Sequence, residues 1–328
     1  MKRIFAVFLA LALLLGLTAC TPQEETALDK ITFVLDWTPN TNHTGLYVAM
    51  AKGYFADAGL EVEVVQPPED GAEVLVASGK AQFGVSFQDS MAPALAENMP
   101  ITAVAAVIQH NTSGIISRKG EGMDTPRGLE GKKYATWDMA VEKATIRSVM
   151  EADGGDFSKV ELIPSTVTDE VSALRSNSVD AIWVFYAWAG IACEAAELET
   201  DYFAFADMDP AFDFYTPVII AGNDYLAQNP EQVRAFLAAL SKGYEFAIQD
   251  PEQAAQILME AAPELQSNRE LVEMSQQYLA SRYTADASRW GVIDADRWAA
   301  YYNWLNAEGL MEKPLDVTVG FTNGYLPQ

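Results

Sequence analysis

Two cysteines and two histidines are all that 328 residues hold of the side chains most used for bridges and metal sites. Cys20 closes an N-terminal apolar run, which leaves Cys193 as the lone thiol of the body and excludes an internal disulfide framework. His43 and His110 lie far apart with no cysteine cluster beside them, which argues against a structural or catalytic zinc site. Positive charge is also scarce: 21 Lys and Arg face 46 Asp and Glu, for a net charge of −25. Such a field repels nucleic acid and offers no polybasic patch to a membrane. It does not attract sulfonates or phosphates either, unless a local Arg or a helix N-terminus reverses it. After residue 20 there is no further apolar run long enough to span a bilayer.

The chain begins with Lys2 and Arg3, an apolar run from Ile4 to Leu15, and "LTAC" at 17–20. This reads as a secretory signal, too short and wrongly flanked for a membrane span. Its close in small residues and a cysteine resembles the lipobox of bacterial lipoproteins. That implies cleavage before Cys20, an extracytoplasmic location and attachment to the cell membrane through the Cys20 lipid only. An ordinary signal peptide with a chance cysteine is the alternative. Residues 21–29 are polar, contain Pro22 and read as a tether. The roughly 300 residues beyond exceed one typical core, so two domains are expected.

Strands and helices alternate along the body. "ITFVLDW" is an apolar strand, and "TGLYVAMAKGYF" carries Leu46, Met50 and Tyr54 at helical spacing. "LEVEVVQP", "QFGVSF" and "ITAVAAVIQ" continue as strands between helical stretches. The pattern restarts at "SGIISRKG" and runs through "VDAIWVFYAW" to "YFAFAD". From Asn229 helices dominate, two of them opened by Pro230 and Pro251 with acids in the first turn. This predicts an α/β chain of two lobes, each a mostly parallel sheet flanked by helices. The chain leaves the first lobe near His110–Ser113 and returns near Phe214–Pro217, a two-stranded hinge. Lobe 1 is therefore expected at 30–112 and 217–328, and lobe 2 at 113–216. A ligand would lie between them, outside the carboxyl ends of the strands.

The segments "LDWTPNTNHTGLYVAMAKGYFADAGLEVEVV", "ASGKAQFGVSF", "LEGKKYATW", "SVDAIWVF", "NPEQVRAFLAALSKGYEFA" and "FTNGYLP" resemble the NMT1/THI5-like family, from about Lys30 to the end. The resemblance implies a periplasmic-binding-protein type II fold. "KGYF…GL" and "SGKAQFGV" are shared with sulfonate and nitrate binders, whereas "LDWTPNTNHTG" and "FTNGYL" point to the thiamin-pyrimidine branch. In its ThiY-like members the implied role is a monomeric, cofactor-free binding protein that is not an enzyme. Such a protein hands N-formyl-4-amino-5-aminomethyl-2-methylpyrimidine, a thiamin breakdown product, to an ABC permease and its ATPase for thiamin salvage. A same-fold importer component for another solute (a sulfonate such as taurine, nitrate, a riboflavin-like compound) is the alternative. The least favoured reading is a pyrimidine synthase that consumes a lysine-bound PLP. Aligned on "FGVSFQDSMAPALA", the synthase lysine falls at Ser86 and its histidine near Ser90, and the segment aligned with its cysteine cluster, "FDFYTPVIIAGND", holds no cysteine. Without the amine there is no Schiff base.

A flat aminopyrimidine calls for aromatic faces and for a carboxylate or amide along one edge. Trp37, ending the first strand, is the first stacking residue expected, unless it is a strand-end core residue. Asp36 and Asn40 flank it as polar contacts, with loop capping the other role open to Asp36. His43 starts the following helix, to contact the formyl group or to serve the fold. In "DAIWVFYAWAGIACE", alternation puts Trp183 and Phe185 on one face, and Tyr186 and Trp188 on the other. Tyr186 and Trp188 lie at the carboxyl end and are expected to stack on the ligand, while Trp183 is expected in the core. Glu194 is the acid expected at the amino edge, with a solvated helix carboxylate as its alternative. Trp137, Ser86, Gln88 and Tyr215 complete the expected ligand-binding set. Arg and Lys are missing from these loops, which favours a neutral or cationic ring over an oxyanion.

Overall fold

A computed structural model describes residues 28–328, apart from Asp70 and Thr166. The signal, Cys20 and most of the tether lie outside the described residues, and Asp29, placed in the tether above, opens the first strand.

The chain builds β1 (Asp29–Val34), α1 (Thr44–Ala51), β2 (Leu60–Val65), α2 (Ala72–Ala77), β3 (Phe83–Ser86), α3 (Gln88–Ala96) and β4 (Ile101–Ala106). It then crosses to β5 (Ser113–Arg118), β6 (Lys133–Thr136), α4 (Ala140–Ala152), β7 (Glu161–Pro164), α5 (Glu170–Arg175), β8 (Ala181–Phe185), α6 (Ile191–Ala195) and β9 (Thr200–Ala204). It returns through β10 (Val218–Gly222) to α7 (Pro230–Gln249), α8 (Pro251–Ala261), α9 (Arg269–Ala280) and α10 (Ala295–Ala307). Two five-stranded sheets result, ordered β2-β1-β3-β10-β4 and β7-β6-β8-β5-β9. In each, the strand that arrives from the other sheet, β10 or β5, is antiparallel to both its neighbours. The two crossings are tied together: the Asn111 amide N–H donates to Asp213, and its side chain donates to the Phe212 carbonyl.

The elements follow from local chemistry. In α7, Pro230 occupies the first turn beside Glu231, and Val233, Phe236, Leu237, Leu240, Tyr244 and Ala247 recur on one buried face. Phe236 stacks on Phe83 of β3 at 3.9 Å between ring centroids and on Phe55 at 5.1 Å. Gly243 lets α7 touch α1 backbone to backbone, since an added Cβ would lie 1.9 Å from the Gly45 carbonyl oxygen. Phe321 pairs with Ala103, which seats the C-terminal tail on β4. Among the described residues no helix is long and apolar enough to cross a membrane.

Candidate functional site

The loop after β1 ties the side chains of Asp36, Asn40 and His43 into the loop itself. The Asn40 side chain accepts from the Asn42 N–H and caps the turn Thr41–His43. His43 Nδ1 accepts from the Asn40 N–H at 3.1 Å, which puts the ring proton on Nε2 for Asp36 Oδ1 at 2.6 Å. The imidazole is buried with both nitrogens engaged, so neither is left for a ligand. Tyr244 and Tyr283 then pin the loop by donating to the carbonyls of Asn42 and Thr41. Trp37 turns outward, 55% exposed.

The second expected cluster is likewise engaged within the protein. β8 ends at Phe185 and the chain continues as a π-turn over Tyr186–Gly190, so strand alternation stops before Tyr186 and Trp188. The Tyr186 hydroxyl donates to Glu194, which is exposed, and its ring packs on Tyr202 and Tyr278 at 4.6 and 5.5 Å. Trp188 packs against the cluster of Tyr47, Leu258 and Met259. The other face of β8 packs Trp183 against the buried cluster around Phe205, as expected, and at its end looks across the molecule. There Phe185 stacks with Phe87 of the first lobe at 6.3 Å.

Trp183, on that face, lines a cavity of about 580 Å³ between the two sheets, a size typical of small-molecule sites. The first lobe contributes Asp89, Ser90 and Pro93 of α3, the second Trp137, Met139 and Glu142, and Phe214 comes from the return crossing. Tyr301 and Leu305 of α10, with Met311 and Lys313 beyond it, complete the wall. Of the residues singled out as ligand contacts in the sequence, Trp137 lines this cavity. Ser86, Gln88 and Tyr215 stand behind it as supports. Gln88 accepts from the Tyr215 N–H and donates to the Trp298 carbonyl, while Tyr302 donates to the Gln88 carbonyl. This fixes the start of α3. The Ser86 hydroxyl donates to Glu73. The Tyr215 hydroxyl accepts from the Asp294 N–H.

Glu142 organises the second-lobe wall. Buried at 3% exposure, its carboxylate accepts from the Tyr134 hydroxyl at 2.6 Å, the Thr136 hydroxyl at 3.0 Å, the Trp137 N–H at 3.1 Å and the Met139 N–H at 3.3 Å. Asp138 takes a positive φ of 65°, and the Trp137 ring is left 44% exposed. It sits 5.8 Å from the Trp183 ring, which in turn rests on Phe205 at 4.3 Å. Burial and the facing Glu142 charge push the Tyr134 hydroxyl well above its ordinary pKa, so it stays a donor.

Two polar atoms at the wall are unmatched. Trp183 Nε1 and Asp89 Oδ1 are buried with no hydrogen-bond partner, a state that is costly unless a bound group answers it. Burial, helped by the neighbouring Glu73 charge, pushes the Asp89 carboxyl up to about 6, against the lowering effect of the amides at the start of α3. Its folded pKa exceeds the ordinary 3.8, so the native state holds more protons between those values and loses stability as pH rises through them. Asp89→Asn is therefore expected to melt above the wild type at pH 8 and level with it near pH 4. Equal melting at both pH values would place Asp89 in contact with water. The cavity also carries Glu97 and Glu312, so four carboxylates face one ammonium, Lys313.

Asp89, Ser90 and Trp183 line the cavity but were not among the ligand contacts expected from the sequence. Asp89 carried one signal, an acid just past an apolar strand in "FQDS", at the position where helix starts take acids for capping.

Residues 40–254 match the model of the family described as NMT1/THI5 like. A formylaminopyrimidine-binding protein of Halalkalibacterium halodurans is 27% identical over 328 residues, 98% of each chain. A 4-amino-5-hydroxymethyl-2-methylpyrimidine phosphate synthase of Saccharomyces cerevisiae, THI11, is 26% identical over 91% of this chain and 88% of its own. Among solved structures, the periplasmic aliphatic sulphonate binding protein SsuA of Escherichia coli superimposes with a TM-score of 0.68, at 14% identity, over 89% of this chain and 92% of that one. Its fold is thus the two-lobed α/β architecture of the periplasmic binding proteins.

Proposed function

The chain belongs to the NMT1/THI5-like family, and from that premise we propose that it is the extracytoplasmic binding component of an ABC importer for a thiamin-precursor aminopyrimidine, in the first place N-formyl-4-amino-5-aminomethyl-2-methylpyrimidine. The observation that carries the reading is the cavity itself: two tryptophans on the second-lobe wall, and on the first-lobe wall Asp89, whose Oδ1 has no partner. Trp137 and Trp183 offer faces to a flat ring. Asp89 answers the amino edge, and the Trp183 N–H answers a carbonyl oxygen such as that of the formyl group. The excess of carboxylates disfavours an anion, which supports this reading over a sulfonate binder of the same fold. The full-length likeness to the formylaminopyrimidine-binding protein agrees with this chemistry.

In this reading the two lobes close on the stacked ring, the closed monomer docks on its permease and ATPase, and no chemistry is done on the ligand. The synthase reading, which relatives such as the yeast enzyme raise, is not favoured. The position of the lysine it would need is Ser86, whose hydroxyl is bound to Glu73. Retention on the cell by a lipid on Cys20 belongs to the same proposal. Cys20→Ala is expected to move the protein into the soluble extracytoplasmic fraction, and unchanged membrane retention would sink that part.

Isothermal titration with the formylated aminopyrimidine and with taurine tests the ligand. Saturable heat is expected with the first and none with the second. The opposite pattern would make the protein a sulfonate binder.

A further inference from the structure

We propose that ligand capture is proton-coupled at Asp89, one proton being shared between its carboxyl group and the ring nitrogen beside the exocyclic amine. This inference rests on the aminopyrimidine reading of the cavity and adds what that reading leaves open, the protonation state in which the ring is held.

The amino edge of such a ring presents an N–H donor next to a bare ring nitrogen, which is an acceptor. A carboxylate presents two acceptors. One oxygen matches the amine, but the other faces the lone pair of the ring nitrogen. One added proton repairs the mismatch, and its formal home, carboxyl oxygen or ring nitrogen, leaves the pair bidentate either way. No bond is made or broken beyond that protonation, and the proton comes from solvent.

The surroundings of Asp89 leave this proton as the available remedy. Its Oδ1 is buried and without a partner at the start of α3. From α2 it faces Glu73, a like charge already engaged with the Ser86 hydroxyl. From α10 it faces the hydroxyls of Tyr301 and Tyr302, both pushed well above their ordinary range by burial and by Asp89 itself. Across the cavity Glu142 is saturated by its four donors, and Lys313 lies on the wall formed after α10. Among the described residues Glu73 is the charge that acts on the Asp89 carboxyl, and no cation there holds it ionised. Its raised pKa means that it is largely ionised but readily protonated at neutral pH.

The test is titration calorimetry of the full mature protein with N-formyl-4-amino-5-aminomethyl-2-methylpyrimidine at pH 8, in phosphate and in Tris. The difference in apparent enthalpy is expected to report uptake of about one proton, with Kd weakening up to about tenfold per pH unit above neutrality. Asp89→Asn keeps a donor and an acceptor on the ring edge without needing a proton. It is expected to bind the probe with no uptake and no pH slope. Asp89→Leu is expected to lose binding while melting as a folded protein. Heat of binding without proton uptake in the wild type, or an unchanged pH slope in Asp89→Asn, overturns the inference and leaves the ligand reading standing. No heat at any pH removes both.

Discussion

Replacing Glu142 by alanine is expected to cost on the order of 3–5 kcal/mol of folding stability and to abolish ligand binding. The carboxylate is the shared acceptor of four donors: two hydroxyls on buried residues, Tyr134 and Thr136, and two backbone amides, of Trp137 and Met139. Alanine strips all four at once. The turn at Asp138, which has φ of 65°, then loses the two amide anchors on either side of it. Trp137 loses its orientation with them. Urea unfolding reads the stability change, and calorimetry reads the binding. Glu142→Gln keeps one acceptor oxygen but turns an amide toward remaining donors, so it should fall between wild type and alanine. An alanine variant as stable as the wild type would mean that the donors find other partners.

Trp137→Ala carries the second large effect, and here the loss falls on the ligand. One stacking face goes, at about 1–3 kcal/mol on the scale of base stacking on aromatic side chains, or roughly 5- to 150-fold in Kd. Folding should change little, because the indole is 44% exposed and its backbone, not its ring, holds the turn. Trp137→Phe should recover most of the affinity. If Trp137→Ala binds as the wild type does, the ligand lies elsewhere between the lobes. Trp37→Ala, on the exposed loop after β1, then becomes the variant expected to lose affinity.

The alternation of strands and helices is written in short-range signals, and the fold was legible for that reason. The apolar run of "ITFVLDW", the proline at the start of α7 and the restart at "SGIISRKG" need only their neighbours in sequence. The site was less legible because its polar residues find their partners far along the chain. Gln88 looked free to meet a ligand, yet its amide is claimed by Trp298 and Tyr215. Thr41, in the loop that seemed built for recognition, meets Ser275 hydroxyl to hydroxyl at 2.6 Å. The placement of Tyr186 and Trp188 on β8 met a different limit. Period-two alternation holds only while the strand lasts, and the π-turn at Tyr186 ended it two residues too early for Trp188. Asp89 was hidden by its ordinariness, since an acid in the first turn of a helix asks for no explanation until its burial is seen.

The wall that α10 and the residues after it lend to the cavity has a consequence for the order of events in the life of the chain. Tyr301, Leu305, Met311 and Lys313 sit beside Asp89 and Trp137, separated from them by much of the sequence. These contacts close late, because distant segments must meet before they form. A chain still being synthesised or threaded across a membrane therefore has one side of its pocket missing until the last thirty or so residues arrive. Under the proposed function, a fragment that stops before α10 presents no finished trap, and capture begins only where folding is complete.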